Sequence, residues 1–324
     1  MKYLDRRQIL DKINHYASAE RPFLFAIDFD GEKGFVLTSQ EAREMGILYS
    51  SHNSVLIPDN RKPFSFNFLP PEKYQYLQAF NKVKQHIFRG DTYLLNLTFP
   101  TVLDTSLTLE EIFYRSSAKY KLLVPDNFVV FSPETFVFTR NRMIFSNPMK
   151  GTISADTEDA ENVLLSDEKE LFEHNTIVDL IRNDLSMVAT HVEVSRFRYI
   201  ERICSNRGDI FQMSSEIRGI LPEDFPVDLG SLILKLLPAG SVTGAPKEKT
   251  VDIIRETENY SRGFYTGIFG FFDGKNLDSA VSIRFIERDR DDHLIFKSGG
   301  GITALSDALM EYKELITKIY VPII

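Results

Sequence analysis

Cysteine is almost missing from this chain. Cys204 is the only one, which excludes an internal disulfide framework and a cysteine-based zinc site and suits a reducing compartment. It is expected to be a small buried hydrophobe. Long apolar stretches are missing too: no uninterrupted run of 18 apolar residues occurs, and the opening MKYLDRRQIL lacks the apolar core of a signal peptide. These absences give the expectation of a cytoplasmic protein without a membrane partner, in which the Asn-x-Ser/Thr matches at Asn96 and Asn259 mean little. Positive charge is in deficit, 38 basic against 46 acidic residues for a net charge of -8, so nucleic acid is not an expected partner. A small anion stays open, because a pocket can be locally positive in an acidic protein. There is no repeat and no low-complexity segment. The rest, 324 residues that are 43% hydrophobic and 26% charged, is ordinary globular composition, enough for one large domain or two small ones.

Periodicity supplies the elements. Residues 1–20 read as a charged helix, followed by short strands at Pro22 to Ile27 and Gly34 to Thr38. Leu56 to Pro71 holds four prolines beside alternating Phe64, Phe66 and Phe68, which suggests an edge strand and then a connector, the best candidate boundary. Tyr76, Phe80, Val83 and Ile87 have helical spacing, and that helix should stop at Gly90. Strands are expected at Thr92 to Phe99, Asn127 to Ser132, Arg198 to Asn206 and Ile210 to Gly219, with a short helix at Thr108 to Tyr114 and a hairpin from Phe136 to Phe145. Residues 166–189 form the clearest helix, with Ser166 or Asp167 as N-cap. A glycine-punctuated strand is expected at Arg262 to Phe272, and an alternating one at Ala280 to Ile286 that puts Ser282 and Arg284 on one face.

Several residue groups could carry chemistry. Lys150 sits in Asn147-Pro148-Met149-Lys150-Gly151-Thr152, beyond the hairpin from Glu134. The pair could be a surface ion pair, or an amine nucleophile beside an acid, since lysine shifts its pKa when desolvated. Glu170 and Glu173 share a helix side with Ile177 and Leu180, next to His174, and Glu311 and Glu314 share one with Lys318 near Leu315 and Ile319. Two such helices make a Mg2+ site plausible, although such pairs are usually solvated helix faces. The small-residue loop Leu236 to Lys247, with Ser241 and Thr243, opens onto a helix N-terminus and could bind an anion or be a plain turn. It is not a phosphate-binding P-loop, because Gly240 and Gly244 are too close and no Gly-Lys-Ser/Thr follows. Arg284 offers a planar fork for a carboxylate, and Gly299, Gly300 and Gly301 could present backbone N-H groups.

These segments, in this order, resemble the chorismate-binding enzyme family. The matching pieces are Gly90-Asp91-Thr92-Tyr93 with Asn96-Leu97, Ser132-Pro133-Glu134, Pro148 to Thr152, Glu173-His174 with Ile177 to Leu185, Pro238 to Lys247, Arg262 to Gly267, Ile283-Arg284, Gly299 to Ile302, and Glu311-x-x-Glu314-x-x-x-Lys318. The resemblance runs from about residue 75 to the C-terminus. It implies an α+β body of two large antiparallel β-sheets packed together with helices on the outside, in α/β/β/α layers. Residues 1–74 would complete those sheets, and residues 75–324 would form the chorismate-binding catalytic region. It also implies chorismate as substrate and Mg2+ between Glu173 and Glu314, with Glu170 and Glu311 beside it. Tyr265, Arg284, Lys318 and Gly299 to Gly301 would hold carboxylates, while Ser241 and Thr243 would line the pocket.

Two positions sort the family's members. Isochorismate- and salicylate-forming members carry a water-activating lysine where this chain has Leu94, which cannot take a proton. Anthranilate synthases carry alanine where this chain has Lys150, whereas members that put ammonia on C4 of chorismate carry lysine. The resemblance therefore implies Lys150 as nucleophile and Glu134 as acid, with anthranilate formation as the alternative and a non-catalytic chorismate-binding subunit behind it. No Gly-x-Cys-x-Gly elbow surrounds Cys204, so ammonia would come from a separate glutaminase subunit. Leu94 and Gln212 depart from the glutamine and histidine found in many members.

Overall fold

Runs rich in β-branched and aromatic residues pair antiparallel and gather into two sheets. The computed structural model describes residues 2–51, 63–203 and 209–323. Within them, a ten-stranded sheet runs Leu4–Asp5, Lys33–Leu37, Phe23–Ile27, Ile268–Phe272, Leu277–Val281, Thr135–Arg140, Met143–Ser146, Ile210–Ile220 and Met149–Ser154, with Thr190–Ile203 also paired to Ile210–Ile220. An eight-stranded sheet runs Gly244–Ala245, Leu94–Thr105, Leu294–Thr303, Phe285–Arg288, Phe128–Ser132, Tyr120–Val124 and Leu48–Ser50, with Phe66–Phe68 on Leu94–Thr105. The strands before residue 74 thus divide between the two sheets. Cys204 and the first part of the Leu56 to Pro71 segment lie outside the described residues.

The strand Phe23–Ile27 shows how the layers arise. All five residues are buried, so the strand is covered on both faces. Phe23, Phe25 and Ile27 face a cluster with Ile9, Ile13, Ile177, Ile181 and Ile233 from the helices Arg6–Ser18, Glu168–Ser186 and Leu229–Leu236. Leu24 and Ala26 face the other sheet, where they join Tyr120, Leu122, Phe128, Val130 and Phe285. Beyond that sheet, Leu95, Leu97 and Ile302 pack on Tyr76, Phe80, Ile254 and Leu315 from Lys73–Phe88, Lys247–Thr257 and Ala308–Thr317. The expected α+β arrangement, helices outside two packed antiparallel sheets, is the arrangement found. No helix among the described residues is long and apolar enough to cross a membrane.

Local signals set the helix that matters most. Asp167 is the N-cap of Glu168–Ser186 and its Oδ1 accepts from the Glu170 N-H at 2.9 Å, a bond worth about 1 kcal/mol. Two strand expectations need correcting. Ala280 to Ile286 is not one strand: Leu277–Val281 belongs to the ten-stranded sheet and Phe285–Arg288 to the eight-stranded one. The chain changes sheets at Ser282 to Arg284, with Arg284 at φ 54°. Alternation could not reveal this, because apolar residues alternate equally well on both sides of the break. Arg262 to Gly267 is likewise a turn, closed by Tyr265 N-H donating to Arg262 O and Gly267 N-H to Phe264 O, and the strand starts only at Ile268.

Candidate active site

Lys150 is placed by a strand that is bent beside it. In Met149–Ser154 the pairing with Ile210–Ile220 slips between Lys150 and Thr152, and Gly151 has φ 70°. Gly151 also makes room for a neighbour: a methyl there would lie 3.2 Å from Glu170 Oε2 and 2.8 Å from Leu164 Cδ1. Lys150 Nζ stands 3.5 Å from Glu173 Oε2, with the two side chains 21% and 6% exposed. His174, fully buried behind Glu173, places Nε2 2.7 Å from Ser215 Oγ. Burial, with the charges of Arg198 and Lys150, lowers its pKa to about 4. It is a core histidine whose burial favours the neutral ring, with Ser215 as its hydrogen-bond partner.

Gly299 to Gly301 are part of the strand Leu294–Thr303, opposite Thr98, Leu97 and Asn96. They do not form the loop-like nest that the bare backbone suggested. On the other edge, Phe285–Arg288 pairs only as far as Lys297, and there Lys318 Nζ donates to Gly299 O at 3.1 Å. Gly299 is glycine for packing, since a methyl would meet Thr98 Cγ2 at 2.5 Å. Gly300 and Gly301 are a cradle. A methyl at Gly300 would lie 3.7 Å from Glu311 Oε2, Glu314 Oε1 and Lys318 Nζ, and one at Gly301 would lie 3.1 Å from Glu173 Oε2 and 3.6 Å from Lys150 Nζ. Glu311, Glu314 and Lys318 from one helix thus border Gly300, and Glu173 from the other, with Lys150, borders Gly301.

Each helix gives one of its glutamates to a lysine: Glu173 to Lys150, and Glu314 to Lys318 at 2.7 Å. The residues fit a hard divalent cation, because carboxylate oxygens from two helices border a floor without side chains. They do not close into a cage. Among the described residues, the one trio with ligand atoms within 4.8 Å of each other is Asp289, Asp291 and His293 on an exposed turn. A cation between the helices would complete its shell with water and an anionic ligand.

Glu134 follows Phe128–Ser132, and its backbone is held by its own N-H donating to Ser132 Oγ and by its carbonyl accepting from Val281 N-H. Burial raises its pKa above the ordinary glutamate value; the Ser241 hydroxyl, Lys150 and Lys318 oppose that rise. Ser241 Oγ donates directly to Glu134 Oε1. Ser241 therefore joins the site at the acid. Thr243 does not offer its hydroxyl to the pocket: it is fully buried and donates to Ala239 O at 2.8 Å.

Arg284 Nη1 donates to Lys318 O at 3.2 Å, and its guanidinium lies 4.9 Å from the Tyr320 ring centre. The sheet change at Ser282 to Arg284 thus puts this arginine at the end of the last helix, beside Lys318. Tyr265 is buried, which pushes its phenol pKa up, while Arg262 and Arg284 pull it down. Leu94 Cδ1 would stand 3.0 Å from a methyl at Gly301, so an apolar group without a proton acceptor borders the floor. Sequence reasoning did not single out the Asp184 and Lys247 pair at 2.7 Å, nor Glu258 with Arg262. For the second pair the spacing of four along the chain was an available signal.

Comparison with known proteins identifies the family and the fold. The family model for chorismate binding enzyme matches residues 27–323. A Haemophilus influenzae protein described as an uncharacterized PabA-like protein is 48% identical over 98% of this chain and 97% of its own. Aminodeoxychorismate synthase component 1 of Bacillus subtilis is 32% identical over 76% of this chain and 54% of its own. Anthranilate synthase component 1 of Archaeoglobus fulgidus is 33% identical over 73% and 58%. The chain thus spans little more than half of each of these two synthases. The solved menaquinone-specific isochorismate synthase of Escherichia coli has the same fold, with a TM-score of 0.73 at 17% identity over 98% of this chain and 82% of its own. The chain belongs to the chorismate-binding enzyme family.

Proposed function

We propose that the protein aminates chorismate at C4 to give 4-amino-4-deoxychorismate, the step toward p-aminobenzoate and folate, using ammonia from a separate glutaminase subunit. The observation that carries this reading is Lys150, an amine at the edge of the two-glycine floor, 3.5 Å from Glu173 and close enough to Glu134 to act on its proton affinity. Overall identity does not decide between amination at C4 and anthranilate formation, since relatives of both names are about equally similar. The Lys150 position favours the first, since a lysine stands where anthranilate-forming members have alanine; Leu94 separately argues against isochorismate formation, because it leaves no base to activate water.

Lys150, as the neutral amine, attacks C2 of the ring while the C4 oxygen leaves. Glu134, held more protonated than an ordinary glutamate, gives that oxygen its proton, and water departs. Ammonia then forms the C4–N bond, the C2–N bond to Lys150 breaks, and its electron pair returns to the amine. The proton shed by the new nitrogen goes back to Glu134. Arg284, Tyr265, Lys318 and the backbone of Gly299 to Gly301 bind and orient the substrate's carboxylates. Glu173 and Glu314, with Glu170 and Glu311 beside them, would hold Mg2+, which when bound would supply positive charge to offset a substrate carboxylate. The test is product mass analysis after incubating the purified protein with chorismate, Mg2+ and ammonium. Aminodeoxychorismate is expected; anthranilate or isochorismate as main product would overturn the reading.

A further inference from the structure

The loop that carries Ser241, residues 237–246, is fastened by one side chain just beyond its end. Lys247 Nζ donates to Leu236 O at 3.1 Å, closing the loop on itself, and to Asp184 Oδ2 at 2.7 Å on the helix Glu168–Ser186. Both side chains are mostly buried. The carboxylate is also what the loop rests on: a methyl at Gly240 would lie 3.0 Å from Asp184 Oδ2 and 2.9 Å from Leu180 Cδ2. One residue further on, Ser241 donates to Glu134. Glu134, Ser241, Gly240 and Asp184 line one small cavity of about 20 Å³, so the acid and the ion pair stand on two sides of the same loop tip.

A buried ion pair is weak evidence for stability, because apolar residues of similar volume often serve as well. A pair that joins a helix to both ends of a loop has a geometric use. We propose that Asp184 and Lys247 form a clasp that sets the Ser241 hydroxyl on Glu134, which makes both of them positioning residues for the acid. A hydroxyl donated to a carboxylate favours its charged form and so opposes burial. The groups facing Glu134 are Ser241 from the loop, Lys150 from Met149–Ser154 and Lys318 from the end of the last helix, with Asp184 across the cavity. The catalytic consequence rests on the proposed role of Glu134, but the positional claim does not.

The experiment follows the titration of Glu134 itself, by carbon-labelled NMR or carboxyl infrared absorption, in protein free of chorismate and Mg2+. Ser241→Ala should move the midpoint up by about one pH unit. Lys247→Met and Asp184→Asn should each move it up as well, and Lys247→Met should add little in the Ser241→Ala background. The sign separates the clasp from plain electrostatics, because loss of a cation and loss of an anion acting through space would move Glu134 in opposite directions. Opposite shifts, no shift in either variant, or an undiminished Lys247→Met shift in the Ser241→Ala background would overturn the proposal. Asp184→Asn keeps the side-chain shape but removes the charge that holds the Lys247 ammonium, so it loosens the clasp with little change in volume and carries the test where Lys247→Met fails to fold. If product analysis rules out amination, the titration result stands unchanged, so the two readings fail separately.

Discussion

Two buried ion pairs in this molecule are built to opposite standards. Arg262 donates to Glu258 through Nε at 2.8 Å and Nη2 at 2.6 Å, and its remaining donors reach Val242 O and Asn96 O. Glu258 Oε1 also accepts from the Thr98 N-H and hydroxyl, at 2.9 and 2.8 Å. Lys150 Nζ stands 3.5 Å from Glu173 Oε2, and the lysine keeps a fifth of its side-chain surface exposed. The first pair has the saturated, planar geometry that lets a buried charge be tolerated. The second is longer and partly open to solvent, the geometry of a lysine that can release one partner and take another. With Lys150 in its proposed role, the distance and burial of the paired charges separate scaffold from chemistry in this fold.

The largest effect that could break the contrast is on turnover. Lys150→Ala should lose chorismate amination by about 10³-fold or more while the protein stays folded, measured by product formation and by thermal melting side by side. A variant that melts early but keeps its specific activity would place Lys150 with the scaffold. Arg262→Met should do the reverse, costing about 3–5 kcal/mol in urea unfolding because it strands Glu258. An unchanged urea midpoint would show that saturation does not mark structure here. Next in size, Glu173→Gln and Glu314→Gln should each raise the Mg2+ concentration needed for half-maximal activity by about 10–100-fold, and an unmoved Mg2+ requirement would remove the cation from between these helices.

Glu134 gives the smallest effect, in pH dependence. Its folded-state pKa is raised, so its contribution to stability is full below the ordinary glutamate range and is lost as pH rises through the folded value. Glu134→Gln removes that contribution. The parent's urea midpoint minus the variant's should therefore fall as pH climbs from the carboxyl range toward neutrality. A difference that is flat or rises with pH would show that Glu134 is not held in its protonated form.

The sequence revealed those placements that depend on neighbours along the chain. Glu170 and Glu173, or Glu311 and Glu314, could be put on one helix side because helical spacing is local. The long helix and its Asp167 cap could be read for the same reason. What stayed hidden depends on which strands meet. Gly299 to Gly301 were expected to present bare backbone N-H groups, and only the pairing with Asn96 to Thr98 shows that they continue the strand. Arg284 was placed by alternation on a strand that in fact ends at Val281. Thr243 was expected to face the pocket as Ser241 does, but a short turn at Gly240–Val242 directs its hydroxyl to Ala239 O. Asp184 and Lys247 are 63 residues apart, beyond the reach of any periodicity.

The pairing of Phe23–Ile27 with Ile268–Phe272 also has a consequence for how the protein is made. During synthesis the early strand can join Lys33–Leu37 at once, but its other edge stays open until Ile268–Phe272 has left the ribosome. An apolar strand waiting that long is a template for other unfinished chains. The yield of folded protein in a cell should then depend on translation speed and chaperone supply more than on the stability of the finished sheet.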